Sequence, residues 1–190
     1  MRKWAVIYSS TTGNTKAIAE EMAHTSGADL FRVQDAPADL SAYDVVALGY
    51  WLRRGAPDDR MKAYLPHVGN ARIVLFQTHG ADVGSEHAIT SFARAAYLLG
   101  MGCEILGTFS AQGRIAPALI ARRRTSEPDD THSSPEAQER WGRAAAHPND
   151  ADRAAARAFV HKMEHKMDLL EKFRRAQEGK RGAASAAAPK

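Results

Sequence analysis

Lys3-Trp4-Ala5-Val6-Ile7-Tyr8-Ser9-Ser10-Thr11-Thr12-Gly13-Asn14-Thr15-Lys16-Ala17-Ile18-Ala19-Glu20-Glu21-Met22 is the stretch that decides the fold. Its first six residues read as a buried strand, and the segment from Lys16 reads as the start of an amphipathic helix. Between them lie five hydroxyl residues, one asparagine and one glycine. A strand that turns directly into a helix at such a segment offers an anion site. The helix start supplies unpaired N–H donors and the positive end of its dipole. Gly13 allows close backbone approach, and the hydroxyls of Ser9, Ser10, Thr11, Thr12 and Thr15 donate to oxyanions without adding charge.

No Lys follows the glycine in a G-K-[ST] arrangement, and there is no G-x-G-x-x-G. Triphosphate and dinucleotide loops are therefore disfavoured, and a terminal monophosphate fits best. The pattern [ST]-x-T-G-x-T is filled at every fixed position by Ser10-Thr11-Thr12-Gly13-Asn14-Thr15. In this the chain resembles the flavodoxin family, and the resemblance covers about residues 3–110 plus the start of the last helix.

Outward from this turn, apolar strands and helices alternate. Lys3–Tyr8, Asp29–Val33, Asp44–Gly49, Arg72–Gln77 and Cys103–Phe109 read as strands. Asn14–Thr25, Pro57–Leu65 and Ser85–Leu99 read as helices. Continuous apolar strands separated by helices predict a doubly wound α/β fold with a five-stranded parallel sheet. The flavodoxin-like order 2-1-3-4-5 is expected, with an extended C-terminal helix. Residues 112–148 read as an irregular helical insertion, with short helices at 116–122 and 135–146 and a polar loop at 125–134.

Asp150–Ala176 reads as one long helix with an apolar stripe of Ala151, Ala155, Phe159, Met163, Met167, Leu170 and Phe173. Its first half is expected to close the sheet. Its second half is expected to contact something outside the core, a redox partner or a second copy in a homodimer. One domain over 1–176 and a disordered basic tail over 177–190 complete the expected organisation.

Of 26 Lys/Arg and 22 Asp/Glu, residues 151–190 hold ten and five. The basic character thus belongs to the C-terminal end, and no nucleic-acid-binding core is implied. No apolar run approaches the roughly 18 residues of a membrane span. Cys103 is the only cysteine, so no intrachain disulfide forms, and with no room for a signal peptide a cytoplasmic protein is expected. His161 and His165 lack a third ligand, so no metal site is expected. Asp58 and Asp59 fit a helix first turn without a catalytic role. No nucleophile–base arrangement is evident, so no catalytic residue is assigned.

In a parallel sheet, ligands sit beyond the carboxyl ends of the strands. There Gly49-Tyr50-Trp51-Leu52-Arg53-Arg54-Gly55 and Thr78-His79-Gly80-Ala81 should converge on the phosphate loop. Together they offer phosphate donors, a flat aromatic surface and exposed amides, the parts needed for FMN. The resemblance implies that these two loops sandwich the isoalloxazine, with Trp51 or Tyr50 on one face. His79 stands where many family members place an aromatic. Arg53 and Arg54 depart from the acidic surroundings usual in carrier flavodoxins.

A narrower similarity lies in Trp51 with Gly55, Ser85-Glu86-His87-Ala88, Gln112-Gly113-Arg114-Ile115 and His147-Pro148-Asn149-Asp150. These resemble the branch that includes the accessory flavodoxin subunit of bacterial bilirubin reductase. The expected function is electron transfer through FMN to a partner reductase. The alternatives are an FMN-dependent quinone or porphyrinogen oxidoreductase with its own pocket, and an interaction module without cofactor. A pocket roofed by residues 112–148 would favour the oxidoreductase.

Overall fold

The computed structural model describes residues 2–124 and 134–186. Five parallel strands form the sheet: β1 (Trp4–Tyr8), β2 (Asp29–Arg32), β3 (Val45–Arg53), β5 (Arg72–His79) and β6 (Glu104–Gln112). Their order is β2-β1-β3-β5-β6, which is 2-1-3-4-5 for the parallel strands. A two-residue strand, β4 (Ala56–Pro57), pairs antiparallel with the end of β3.

Side-chain alternation along the strands separates two cores. Trp4, Val6, Val45, Ala47, Val74 and Phe76 face α1 (Asn14–Ser26) and α6 (Asp150–Ala186). Ile7, Val46, Leu48, Tyr50, Ile73 and Leu75 face the opposite layer of α2 (Asp59–Tyr64) and α3 (Glu86–Leu98). Burial on both faces explains why the strands read as unbroken apolar runs.

Three boundaries differ from the sequence reading, and each difference builds the site. β3 continues four residues past Gly49, because Tyr50 and Trp51 still pair with Gln77 and Thr78 of β5. It then turns through Arg54 (φ 53°) and Gly55 (φ 70°), a two-residue hairpin of the twist that suits β strands. The expected helix from Pro57 therefore starts two residues later, at Asp59. Asp58 caps it by accepting from the N–H groups of Arg60 and Met61. β6 likewise runs on to Gln112. Beyond it, α4 (Pro117–Arg124) and α5 (Pro135–Ala144) form the expected helical insertion, whose predicted loop falls mostly on 125–133, outside the described residues.

The last helix differs most. Its backbone stays helical to Ala186 rather than ending at 176, through a stretch expected to be a disordered tail; residues 187–190 lie outside the described ones. Alanine-rich sequence without proline favours this, and the two glycines cost only about 1 kcal/mol each. Its buried stripe is Ala156, Val160, Met163 and Met167, while Ala151 and Ala155 are exposed. The run Ala154-Ala155-Ala156 left the phase of that stripe undetermined in the sequence.

Met163 and Met167, expected to face outward, lie in the core. Arg2 anchors this part of α6 by ion pairs to Glu164 (2.7 Å), Asp168 (2.7 Å) and Glu171 (3.1 Å), residues that share one helix face. The Trp4 indole N–H donates to Glu164 at 2.5 Å. Leu169 and Phe173 are the large apolar residues of α6 that remain exposed.

Candidate cofactor site

The turn after β1 stands at the carboxyl edge of the sheet, between β1 and β3, where the chain switches direction across the sheet. Gly13 adopts φ +88° and caps α1 with no side-chain hydrogen bond. The first N–H groups of α1 therefore have no intrahelical partner, and the cradle is shaped for an oxyanion.

Gly13 apart, the six loop residues divide into two sets. Ser9, Asn14 and Thr15 point back into the scaffold. Ser9 Oγ donates to Asp58 at 2.7 Å, and Asn14 Nδ2 donates to the Arg114 carbonyl at 2.8 Å. Thr15 Oγ1 meets Thr78 Oγ1 at 2.8 Å. Each bond ties the loop to a different neighbour: the hairpin, the segment after β6 and the end of β5. Ser10, Thr11 and Thr12 are left toward solvent, with Ser10 Oγ accepting the Gly13 N–H. Asp58 thus does more than cap α2. It is buried at the joint between phosphate loop and hairpin, a role invisible in a motif read along the chain.

A cleft of about 250 Å³ adjoins the loop, lined by Ser10, Thr11 and Gly13 together with Lys16, Arg32 and Arg60. These three cations come from α1, β2 and α2. The loop reads as poor in lysine because Arg32 and Arg60 lie 17 or more residues beyond its end at Thr15, and only the fold gathers them with Lys16. They suit a phosphate dianion.

On the other side lies a cavity of about 640 Å³. Leu52, Arg54 and Gly55 of the hairpin, His79 at the end of β5, and Gly80 and Ala81 after it form part of its wall. Ile115, Leu119, Arg123, Arg140 and Trp141 of the insertion close it from above. The volume lies in the range of ligand clefts, roughly 300–1,000 Å³. The structure thus brings Leu52, His79, Gly80 and Ala81 together, while Tyr50, Trp51, Arg53 and Thr78 are not among the lining residues.

Tyr50 and Trp51 separate. Tyr50 is wholly buried, edge-on to Phe92, and its phenol pKa is raised by burial. Its side chain belongs to the core and is not free to stack on a ligand. Trp51 points to the opposite face by strand alternation, is half-buried, and is register partner to Thr78. Gly49 accepts the Ser9 N–H at 2.8 Å through its carbonyl, joining β3 to the loop.

His79 is held rather than free to stack. Its Nδ1 lies 3.0 Å from the Ala81 carbonyl, which can only accept, so Nδ1 carries the proton. Nε2 then accepts from Ser110 Oγ at 2.6 Å, and Gln77 Nε2 donates to that same oxygen. Burial lowers the His79 pKa below 6.5, outweighing the Ala81 hydrogen bond and the nearby Asp82, while His87 adds to the lowering. The neutral imidazole is favoured in the folded state. Its contribution to stability is therefore present above the unfolded value of 6.5 and is lost as pH falls through the lower folded value. In an NMR titration His79 should be less than half protonated at pH 6.5, where an exposed histidine is half protonated. A midpoint at or above 6.5 would show the ring to be solvated.

Among the described residues no group of three or more His, Cys, Asp or Glu side chains could hold a metal, and no helix is long and apolar enough to cross a membrane.

A phosphate cradle at the switch point of a 2-1-3-4-5 sheet, beside a cavity between the next two loops, is the architecture of the FMN-binding flavodoxins. The flavodoxin domain matches residues 5–161, and the chain belongs to that family. Within it, the chain is 31% identical over 176 residues to the flavodoxin-like domain-containing protein BilS of Clostridioides difficile, covering 88% of this chain and 99% of the relative. The BilS protein of Clostridium symbiosum is 23% identical, with 83% and 94% covered. Oxidised flavodoxin 2 from Bacillus cereus superposes with a TM-score of 0.54 at 18% identity, covering 86% of this chain and 99% of that one. That likeness concerns the fold.

Proposed function

We propose that this protein binds FMN and acts as an electron carrier that delivers electrons to a partner reductase, as an accessory redox subunit. The observation that carries this reading is the start of α1 at Gly13 with no side-chain cap, with Thr11 and Thr12 exposed beside it. The similarity to proteins named BilS supports the accessory role. FMN supplies the one- and two-electron chemistry; the chain binds it, excludes water and tunes its potential. The phosphate would lie on the loop and in reach of the basic cleft, the ring toward the cavity between hairpin and β5 loop. Titrating apoprotein with FMN tests the reading: stoichiometric quenching of flavin fluorescence is expected. Flavin fluorescence left unquenched, with protein that is colourless once free FMN is removed, would refute it.

The roofed cavity supports a second reading, an FMN-dependent oxidoreductase with its own substrate. A carrier should pass electrons only to a protein, whereas an enzyme should turn over NAD(P)H or quinone by itself. Steady-state assays of the FMN-loaded protein separate the two.

The two hairpin arginines have unequal expected roles. Arg53 forms an ion pair with Asp59, and both side chains are exposed. Arg54 lines the cavity. A cation near the ring favours the anionic reduced flavin. Arg54→Asn, which keeps the left-handed turn, should lower the potential by about 20–60 mV for a one-electron step, allowing for solvent screening. Arg53→Ala should move it by less than about 20 mV. Equal shifts from both in a redox titration would mean that the Asp59 pairing does not neutralise Arg53.

A further inference from the structure

Trp141 poses a specific problem of satisfaction. It is 4% exposed, lines the cavity, and its indole N–H has no hydrogen-bond partner among the described residues. Buried donors are almost always paired, so an unpaired one in a side chain that lines a cavity calls for an acceptor that the chain does not supply.

The residue is also firmly placed. Ser134 Oγ accepts the Ala137 N–H and caps α5, and Ala137 and Ala144 bury the same helix face. The Arg123 guanidinium stands 5.9 Å from the centre of the Trp141 ring. Arg143 reaches Asp82 in the loop after β5 at 3.3 Å, and the Arg114 N–H donates to the His147 carbonyl at 2.9 Å. The insertion is therefore latched to the β5 loop and to its own base. The cavity wall is apolar at Leu52, Ile115 and Leu119 and carries the cations Arg54, Arg123 and Arg140. A flat apolar ligand with acceptor atoms on its edge matches this lining, and an isoalloxazine, with its two ring carbonyls, has that chemistry.

We infer that α4 and α5 form a cover over the flavin ring and that Trp141 Nε1 donates a hydrogen bond to an acceptor on its edge. This assigns a ring contact to the insertion, in addition to the two loops. It rests on the FMN reading above.

The experiment compares wild type with Trp141→Phe, which keeps an aromatic ring and removes the donor. FMN and riboflavin are each titrated into apoprotein. Because the contact is to the ring, both affinities should fall by the same factor, roughly 3–10-fold for one neutral hydrogen bond. The bound flavin's visible maxima should shift.

A second measurement needs no substitution. In wild-type protein with 15N-labelled tryptophan, the Trp141 indole proton should move downfield when riboflavin is added. Wild type that takes up no flavin overturns the cofactor reading itself. Wild type that binds flavin with an unmoved Trp141 resonance, or a variant with unchanged affinities and spectrum, overturns this inference alone.

Discussion

A chain that stops at His161 is expected to lose its cooperative unfolding transition. The part of α6 that it lacks carries Met163 and Met167, 3% and 1% exposed, packed with Trp4, Val6, Val74 and Phe76 against one whole face of the sheet. Deleting a buried side chain of this size costs roughly 2–5 kcal/mol, and two are removed. Arg2 also loses all three carboxylates, and the Trp4 indole loses Glu164. A domain of this kind has only about 5–15 kcal/mol in total. Ending the chain at Ala176 instead keeps every one of these contacts and should change the melting temperature by no more than a few degrees. Thermal melts followed by circular dichroism compare the two. If the chain ending at His161 melts cooperatively within a few degrees of full length, the second half of α6 lies outside the core after all.

That result bears on what could be read from the sequence. The parallel sheet, its order and the phosphate loop were legible, because strand burial on both faces and the strand–turn–helix at residues 4–26 leave local, periodic signatures. The extent of the core on α6 was not. A stripe of Met163, Met167 and Leu170 looks the same whether it meets the sheet of its own chain or a partner. What settles the matter is Arg2, more than 160 residues away, whose charge gives no hint of its three acidic partners.

The site divides along the same line. Ser10, Thr11, Thr12 and Gly13 were legible as a contiguous motif. The cations Arg32 and Arg60 and the roof residue Trp141 were not, since each reaches the site from a separate element. Tyr50 and Trp51 were ambiguous until β3 proved to continue through both. Strand continuation sends adjacent side chains to opposite faces: Tyr50 enters the core, and Trp51, half-buried, lines neither the cavity nor the cleft.

The largest binding effect is expected on the phosphate side: riboflavin should bind at least 100-fold more weakly than FMN. The uncapped N–H groups of α1 and the hydroxyls of Ser10, Thr11 and Thr12 can each make a charge-assisted hydrogen bond, worth roughly 1.5–3 kcal/mol. Two such bonds suffice for the stated ratio. Thr12→Ala should remove one, lowering FMN affinity about tenfold while leaving riboflavin unchanged. Thr15 is a poorer probe, because its hydroxyl also fastens the loop to Thr78, so Thr15→Ala would disturb the cradle as well as any phosphate contact. Salt separates the cleft from the cradle. Lys16, Arg32 and Arg60 are exposed, and at 1 M salt the screening length contracts to about 3 Å, so their share of the attraction should vanish. Hydrogen bonds in direct contact should persist. FMN affinity is therefore expected to fall with ionic strength and then level off, still above that of riboflavin. In Arg32→Ala with Arg60→Ala the fall should flatten, while the level reached at high salt stays the same. Titrations of both flavins at several salt concentrations read all of this, and equal affinities for FMN and riboflavin at low salt would remove the phosphate loop from the site.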